Sequence, residues 1–444
     1  MRIPTTVAAL ALLPLAGNAQ LTYALDSTTL LIDVVVDSDR VDAPWEILWG
    51  PDERLWMTDG PLITRWDPLS DAIDTVYDRG RGNGLGMALH PDFPGTPVVM
   101  AVFDTGTYYA GNTWCEVVRL EYDAVNDTIA SETVLFGYYH AGEHAGGRVL
   151  FDTTNNVLVT TADYWLNGPD TLFSPVGKTL RFAMDGSVPA DNPRADRTWT
   201  WGHRNPQGLA LLPNGSVVNT EHGQMYQSNE INLIQRNEDH GYPYYDGTSC
   251  FLFPDTCTSG TYSFVAPLRT FDHPPSGAEF YGHTAIPEFT GKLICTVLWH
   301  RGLMTFGFNA DLDSITSETY LEGGAFDDMV RNRDIAIRPD GGFYLITNDR
   351  QDARIRWVHP DLSTSVGTPL ASPSTLLAWP VPARDHLIVA GAGQDPLALF
   401  DALGRLWPVP VQRMGERCLL DVQVLPPGTY SVRAGTRSTR FIKP

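Results

Sequence analysis

The stretch "LPNGSVVNTE", residues 212–221, joins a Pro-Asn-Gly turn to a short strand with alternating apolar side chains. The same order of turn and strand recurs five more times, and no long segment with a 3.6-residue period separates the copies. The other copies are "GPDERLWMTD" (50–59), "HPDFPGTPVVMAVF" (90–103), "FDTTNNVLVTTAD" (151–163), "FTGKLICTVL" (289–298) and "RPDGGFYLITND" (338–349). Repeated strand units without intervening helices are typical of propeller blades. The six copies therefore predict an all-β fold with a six-bladed β-propeller rather than a single β-sandwich.

Composition limits the classes of partner. The chain has 444 residues, of which 43% are apolar and 11% aromatic, enough for a large packed core. Its formal net charge of −21 disfavours nucleic acid and anionic membranes as main partners, because both are polyanions. We therefore expect no nucleic-acid ligand.

The N-terminal stretch "MRIPTTVAALALLPLAGNAQ" has a basic residue, an apolar run and small residues before Gln20. This pattern predicts a secretory signal peptide at residues 1–19. No later segment reaches the ~20 apolar residues that a transmembrane helix needs. We therefore expect an exported protein, secreted or held at the cell surface.

Five cysteines are few for an exported chain of this length. Cys250 and Cys257, in "CFLFPDTC", are close enough in sequence to close a small loop, and we predict a disulfide between them. For Cys115, Cys295 and Cys418 the sequence suggests no partner, and we predict buried thiols.

Composition changes after the propeller, which we place at residues 20–360. Residues 361–378 form a Ser/Thr/Pro-rich linker, and residues 379–444 carry eight basic and five acidic side chains. This C-terminal segment alternates like a small antiparallel β-sandwich. Its pieces "PVPARDHLIV", "LFDALGRL", "LDVQVLPPGTYSVR" and "RFIKP" resemble the C-terminal sorting domain of the type IX secretion system. The resemblance implies the type IX machinery as a partner; an accessory immunoglobulin-like or carbohydrate-binding domain is the alternative.

Three loops carry residues suited to chemistry. In "GEHAGGRVLFD" (142–152), His144 precedes two glycines that leave room for a ligand, so it is either a general base or an inert surface histidine. Asp163, after the strand "VLVTTAD", is either its hydrogen-bond partner or a turn residue. The loop "TWGHRNPQGLALLPNG" (200–215) presents an arginine and two amides to an anion, unless it is only a turn.

Two further segments add charge. In an extended "RNRD", Arg331 and Arg333 point to one side, and they either bind an anion or are solvated. The acidic, glycine-containing stretch "TEHGQMYQSNEINLIQRNEDHGYP" (220–243) has the oxygen-rich composition that Ca²⁺ prefers, although its spacing matches no EF-hand.

Taken in order, several segments resemble the glucose/sorbosone dehydrogenase family over about residues 40–360. They are "PWEILWGPDERLWMTD", "GLGMALHPDF", "HAGGRVLF", "GKTLRFAMDGSVPADNP", "GHRNPQGLALLPNG", "EHG…NEINLI" and "RNRDIAIRPDG". Members of this family are soluble aldose sugar dehydrogenases that depend on pyrroloquinoline quinone (PQQ) and fold as six-bladed propellers. The resemblance implies oxidation of the C1 hydroxyl of an aldose to the lactone, with PQQ and Ca²⁺ as cofactors and an external electron acceptor.

The resemblance also assigns roles to individual residues. The catalytic pair is His144 as general base with Asp163. The implied cofactor-binding residues are Glu143, Arg204, Asn205, Arg331 and Arg333, together with Arg81 and His300, which stand where the family has an active-site Gln and a cofactor-binding Lys. The implied calcium ligands are the main-chain carbonyls of Gly223 and Gln224 at a catalytic ion, and Glu230 with the His240 carbonyl at a structural ion. Because the Gln and Lys positions are altered, a non-catalytic binding propeller is one alternative. A metal-dependent lactonase on a similar propeller is the other.

Overall fold

The computed structural model describes residues 21–443 apart from sixteen gaps. These gaps are 110–111, 142–143, 164–173, 226, 253, 261, 300–301, 327–330, 350–351, 362–375, 380–382, 384–385, 394, 402–404, and the pairs 415–416 and 435–436. The predicted signal peptide and most of the predicted linker therefore lie outside the described residues. Within the described part, the chain is almost entirely β-structure.

Six antiparallel sheets, which we number as blades 1–6 in chain order, account for residues 21–360 of the described chain. Blade 1 contains Pro44–Trp49, Leu55–Asp59, Leu62–Trp66 and Ile73–Asp78, and blade 2 contains Asn83–Leu89, Val98–Tyr109, Asn112–Asp123 and Thr128–Ala141. Blade 3 contains Gly146–Phe151, Val157–Thr161, Lys178–Phe182 and Thr198–Trp201, with the added strand Glu238–Asp239. Blade 4 contains Pro206–Leu211, Val217–Glu221, Asn229–Ile234 and Arg269–Phe271, and blade 5 contains Pro275–Tyr281, Lys292–Val297, Leu303–Phe308 and Ile315–Leu321. Blade 6 contains Asn332–Ile337, Phe343–Thr347 and Arg354–Pro360, and it is completed by Thr29–Val36 and Leu21–Ala24.

The first strand of each blade is its innermost strand, and these six strands close into a ring. Each innermost strand contacts the innermost strands of the blades before and after it. Blade 6 joins the two ends of the propeller chain, because the N-terminal strand Thr29–Val36 pairs with Arg354–Pro360. Pairing the first segment with the last removes two free sheet edges and closes the propeller. The predicted six-bladed propeller is confirmed.

The six repeated turn-and-strand segments all form the second strand of a blade. In blades 3 and 4 every residue of that strand, Val157–Thr161 and Val217–Glu221, is buried. The reason is that both faces of a blade pack against neighbouring blades; Met100, Val159 and Phe182, for example, share one cluster between blades 2 and 3. Burial on both faces explains why the period-2 pattern is weaker than in a sheet with one wet face.

Blade 4 carries a long insertion before its last strand. It contains the short strands Tyr245–Asp246 and Ser249–Cys250 and the one-turn helix Pro254–Thr258. Cys250 and Cys257 form a disulfide here, with Cα atoms 5.9 Å apart, as predicted. Cys115, Cys295 and Cys418 are buried free thiols, which is also confirmed. A single 3₁₀ turn, Gly324–Phe326, follows blade 5.

The C-terminal segment folds into two four-stranded sheets around its own apolar core, which includes Leu387, Val389, Leu420 and Val432. One sheet contains Leu377–Trp379, His386–Ala390, Arg417–Asp421 and Val411–Met414; the other contains Leu406–Trp407, Leu397–Asp401, Gly428–Ala434 and Arg437–Lys443. The predicted small β-sandwich is confirmed. Among the described residues, no helix has the length and apolar character needed to cross a membrane.

Candidate active site

Residues from loops far apart in sequence meet at one mouth of the central channel. Each innermost strand begins at this mouth, so the residues that precede or open those strands converge there. His144 precedes Gly146–Phe151, Arg204 and Asn205 precede Pro206–Leu211, and Arg331 precedes Asn332–Ile337. We call this group the channel-mouth site.

His144 is held by Asp163. Its Nδ1 lies 3.2 Å from Asp163 Oδ1, and both side chains are largely buried. The backbone N–H of Asp163 in turn donates to the Arg204 carbonyl over 2.7 Å. Because the carboxylate accepts from Nδ1, the imidazole presents Nε2 as its acceptor. The sequence left open whether Asp163 is the hydrogen-bond partner of His144 or only a turn residue. The contact between them is present in the structure.

The two glycines after His144 are required by the backbone. Gly146 and Gly147 have φ values of 62° and 89°, which side-chain-bearing residues rarely adopt. A Cβ at Gly146 would lie 2.8 Å from the Thr160 carbonyl oxygen, and one at Gly147 would lie 2.7 Å from a methyl carbon of Leu85. The close packing positions the loop that carries His144.

Arg204 reaches from blade 4 towards His144. Its Nη2 lies 3.5 Å from His144 Nε2 and donates to Gln224 Oε1 over 2.7 Å. Its Nη1 donates to the carbonyls of His222 and Gly223 over 3.0 and 2.9 Å. Its backbone N–H donates to the carboxylate of Glu221. The buried Nε has no hydrogen-bond partner within the described residues.

A chain of amide and guanidinium contacts crosses the channel from blade 4 to blade 6. Asn205 Nδ2 lies 3.2 Å from His222 Nδ1, and Gln207 Nε2 donates to Asn205 Oδ1 over 3.0 Å. Arg333 Nη1 donates to Gln207 Oε1 over 2.8 Å. Burial holds the pKa of His222 at about 3, so this imidazole is neutral and can accept from Asn205.

Arg333 is a buried cation that forms no ion pair with a carboxylate among the described residues; its Nη1 contacts Gln207 Oε1 and Ser276 Oγ. Burial, followed by the charges of Arg331 and Arg148, lowers the pKa of Arg333 to about 9. Arg148 differs, because its guanidinium pairs with Glu46 and Asp334 at 2.7 and 2.9 Å. A buried guanidinium without a carboxylate partner favours an anionic ligand.

The predicted side-chain alternation of "RNRD" holds only in part. Arg331 has a φ of 57°, outside the extended region, and the strand begins one residue later. Asn332 points away from the channel contacts and donates to the Gly302 carbonyl over 2.9 Å. The charge of Arg331 nevertheless acts on Arg333, so the two guanidinium groups are near each other.

The predicted calcium residues lie in blade 4 and in the insertion that follows its third strand. Glu230 is buried and accepts hydrogen bonds from Asn232 Nδ2 and the Gly247 backbone N–H, each over 2.8 Å. Burial and the charge of Glu221 raise the pKa of Glu230 well above its usual value. The His240 ring stacks on His203 with centroids 4.6 Å apart, and burial lowers its pKa well below the usual value. No group of three or more His, Cys, Asp or Glu side chains suited to a metal occurs in the described part of the chain.

Comparison with known proteins identifies the family. The family model for glucose/sorbosone dehydrogenase matches residues 41–357, the whole propeller apart from its first strands. The chain belongs to this family.

Two curated proteins with similar sequences are named as sugar dehydrogenases. The chain is 30% identical to quinoprotein glucose dehydrogenase B of Acinetobacter calcoaceticus, over 71% of this chain and 85% of that protein. It is 26% identical to the aldose sugar dehydrogenase YliI of Escherichia coli, over 74% of this chain and 93% of that protein. The chain is therefore related to oxidoreductases that act on sugars.

Solved structures confirm the family fold. The soluble aldose sugar dehydrogenase of Escherichia coli in its apo-form matches 75% of this chain and 100% of its own with a TM-score of 0.64 at 23% identity. The PQQ-bound aldose sugar dehydrogenase of Streptomyces coelicolor matches 75% of this chain and 98% of its own with a TM-score of 0.60 at 21% identity.

Three positions that the family resemblance assigned to the cofactor are not joined to the channel-mouth site by any described contact. Arg81 is largely exposed, and its Nη2 pairs with Glu116 at 3.3 Å. Glu143 and His300 lie outside the described residues. The cofactor-binding role of these three residues stays a prediction.

The sequence interpretation missed two residues of the site. His222 is the buried partner of Asn205, and the only pointer to it was its position in the quoted "EHG" segment. Asp246 accepts hydrogen bonds from the backbone N–H groups of Gln224 and Met225 over 2.6–3.1 Å. It belongs to an irregular insertion, where no periodic pattern marks a functional side chain.

Proposed function

We propose that this protein is an exported, PQQ-dependent aldose sugar dehydrogenase that oxidises the C1 hydroxyl of an aldose to the lactone. The observation that carries the proposal is the oriented His144–Asp163 pair at 3.2 Å, beside buried arginines at one channel mouth. Two steps must be supplied there: removal of the hydroxyl proton and acceptance of the hydride from C1.

His144 supplies the first step. Its Nε2 accepts the proton from the C1 hydroxyl, while Asp163 keeps Nδ1 as the donor and stabilises the imidazolium that results. The C1–H bond breaks with its electron pair, so the sugar loses one proton and one hydride and becomes the lactone. PQQ, when bound, supplies the hydride acceptor and passes the electrons to an external acceptor.

The residues at the mouth fit an anionic quinone. PQQ carries carboxylates, and Arg333 offers a buried guanidinium that forms no ion pair with a carboxylate in the described part of the chain. Arg204 has a buried Nε without a partner in the described chain. Planar guanidinium groups suit carboxylates because two parallel N–H groups match two oxygens. We propose that Arg204, Asn205, Arg331 and Arg333 hold the cofactor.

Reconstitution tests this function. The purified propeller is incubated with PQQ and Ca²⁺, and the reduction of an artificial dye acceptor is followed with a panel of aldoses. We expect aldose-dependent dye reduction only when PQQ is present, with the lactone as product. Tight PQQ binding without turnover would favour a binding propeller. Lactone hydrolysis without PQQ would favour the lactonase.

The C-terminal sandwich directs delivery in this proposal. Its basic composition and its four motif pieces support a type IX sorting domain that takes the protein across the outer membrane. Deleting residues 379–444 is expected to leave folded propeller in the periplasm, measured by fractionation and immunoblotting of the native host. A deletion limited to linker residues 362–375 is the matched control and should reach the surface. Normal surface delivery without residues 379–444 would contradict the assignment.

A further inference from the structure

Three oxygen atoms converge on the guanidinium of Arg204. The His222 and Gly223 carbonyls accept from Nη1 over 3.0 and 2.9 Å, and the Gln224 side-chain oxygen accepts from Nη2 over 2.7 Å. We call these three oxygens the oxygen cradle. Two of its members are carbonyl oxygens of the "EHG" segment, and the third is the side-chain oxygen of the residue that follows it.

The loop that forms the cradle is held from its other side. The Asp246 carboxylate accepts the backbone N–H groups of Gln224 and Met225, and Ser228 Oγ accepts the Met225 N–H over 2.9 Å. Gly223 has no space for a side chain, because a Cβ there would lie 2.1 Å from the Ser228 carbonyl oxygen. These contacts do not involve Arg204. The backbone of the loop, with its two carbonyl oxygens, is therefore held independently of the guanidinium.

The cradle has the chemistry of a hard cation site. Main-chain carbonyls and amide side-chain oxygens are ligands that Ca²⁺ takes in irregular loops. In the structure a guanidinium, itself a cation, satisfies these oxygens. A calcium ion at the same oxygens would have to displace the hydrogen bonds of Arg204 and would meet its positive charge at short range.

Arg204 also has a second set of partners available. Its buried Nε lacks a partner among the described residues, and its Nη2 lies 3.5 Å from His144 Nε2, inside the channel-mouth site. An anionic ligand at that site offers oxygens to the same guanidinium. One side chain is thus shared between the loop oxygens and a ligand at the mouth.

We propose that Arg204 and a calcium ion are alternative occupants of the oxygen cradle, with Gln224 Oε1 as the third oxygen ligand of the ion. This inference rests on the proposed function, which brings calcium and an anionic quinone to the site. An anion that draws Arg204 away vacates the cradle for the cation. Cation and anion binding are then coupled through one arginine, and the coupling is reciprocal.

We expect that removal of Arg204 makes Ca²⁺ bind more tightly. Arg204→Met keeps the aliphatic bulk and removes the charge and the hydrogen bonds. We expect the Kd for Ca²⁺, measured by calorimetry on PQQ-free protein, to fall by about tenfold or more. Gln224→Ala removes one ligand and should weaken Ca²⁺ binding several-fold. Arg269→Ala is the matched control; this exposed arginine pairs with Glu318 on the outer strand of blade 4, and its loss should leave Kd unchanged.

Unchanged or weaker Ca²⁺ binding by Arg204→Met would overturn the proposal. If that variant does not fold, as judged by circular dichroism, Arg204→Leu replaces it, because leucine likewise carries neither the charge nor the hydrogen bonds of arginine. It should also tighten binding, and an unchanged Kd would again overturn the proposal. The readout needs neither PQQ nor sugar. If the unaltered protein oxidises aldoses but the Arg204 variant does not bind Ca²⁺ more tightly, only the cradle proposal is wrong. If the variant binds Ca²⁺ more tightly but the unaltered protein oxidises no aldose, only the proposed function is wrong.

Discussion

Replacing His144 by alanine is expected to lower the rate of aldose oxidation by roughly 10²- to 10⁴-fold, the usual contribution of a positioned general base. The physical reason is that hydride leaves C1 readily only when the hydroxyl proton is being removed. In the structure His144 Nε2 is presented for this by the bond between Nδ1 and Asp163. The measurement is the rate of dye reduction at saturating sugar after reconstitution with PQQ and Ca²⁺.

A matched control is available on another blade. His359 also lies 3.2 Å from an aspartate, Asp33, but this pair belongs to the outer part of blade 6. His359→Ala should therefore leave the rate within about twofold of the unaltered protein, since remote surface substitutions usually have small effects. PQQ binding by His144→Ala should persist. An unchanged oxidation rate in a PQQ-loaded His144→Ala protein would place the base elsewhere.

Replacing Arg333 by alanine is expected to weaken PQQ binding by roughly 10- to 150-fold, which corresponds to about 1.5–3 kcal/mol for a charge-assisted contact. Burial and the nearby charges of Arg331 and Arg148 destabilise the charged form of Arg333. A carboxylate ligand offsets both effects, so the anion gains more here than at a solvated arginine. The measurement is a titration of the cofactor-free protein with PQQ, followed by fluorescence quenching.

Two variants make this test specific. Arg333→Lys keeps the charge but not the planar fork, and it should recover only part of the affinity. Arg338→Ala is the control from the opposite end of the same innermost strand, where the guanidinium pairs with Asp340 and packs over Trp49. Its PQQ affinity should equal that of the unaltered protein. Equal affinities for Arg333→Ala and Arg338→Ala would show that Arg333 does not contact the anion.

The calcium assignment divides into two parts with different support. The Gly223 carbonyl already accepts from a cationic group, whereas the Gln224 oxygen beside that group is the side-chain Oε1 and not the predicted main-chain carbonyl. At Glu230 the carboxylate is buried and carries a raised pKa, yet both its oxygens accept hydrogen bonds from protein groups. A structural ion there must displace the Asn232 and Gly247 donors, so the two ions need not bind with similar affinity.

The features that could be predicted from the sequence are local. Turn residues followed by short apolar strands repeat six times, and each repeat became the second strand of a blade, because turn chemistry and strand patterning act over about ten residues. The disulfide between Cys250 and Cys257 was predictable for the same reason, since only seven positions separate them. The boundary between propeller and C-terminal sandwich was visible as a change in composition.

Which of these segments lie next to each other depends on the tertiary structure. Ring closure brings the starts of the innermost strands to one mouth, so His144, Arg204 and Arg333 become neighbours although up to 189 positions separate them. Asp246 and His222 entered the site through an irregular insertion and a buried pairing, for which no periodic pattern exists. The cradle depends on the Arg204 guanidinium, which reaches from the loop before the first strand of blade 4 to the loop after its second strand. Contacts of this kind follow from the packing of distant segments. A periodic pattern in the sequence reflects only local structure, so it cannot predict them.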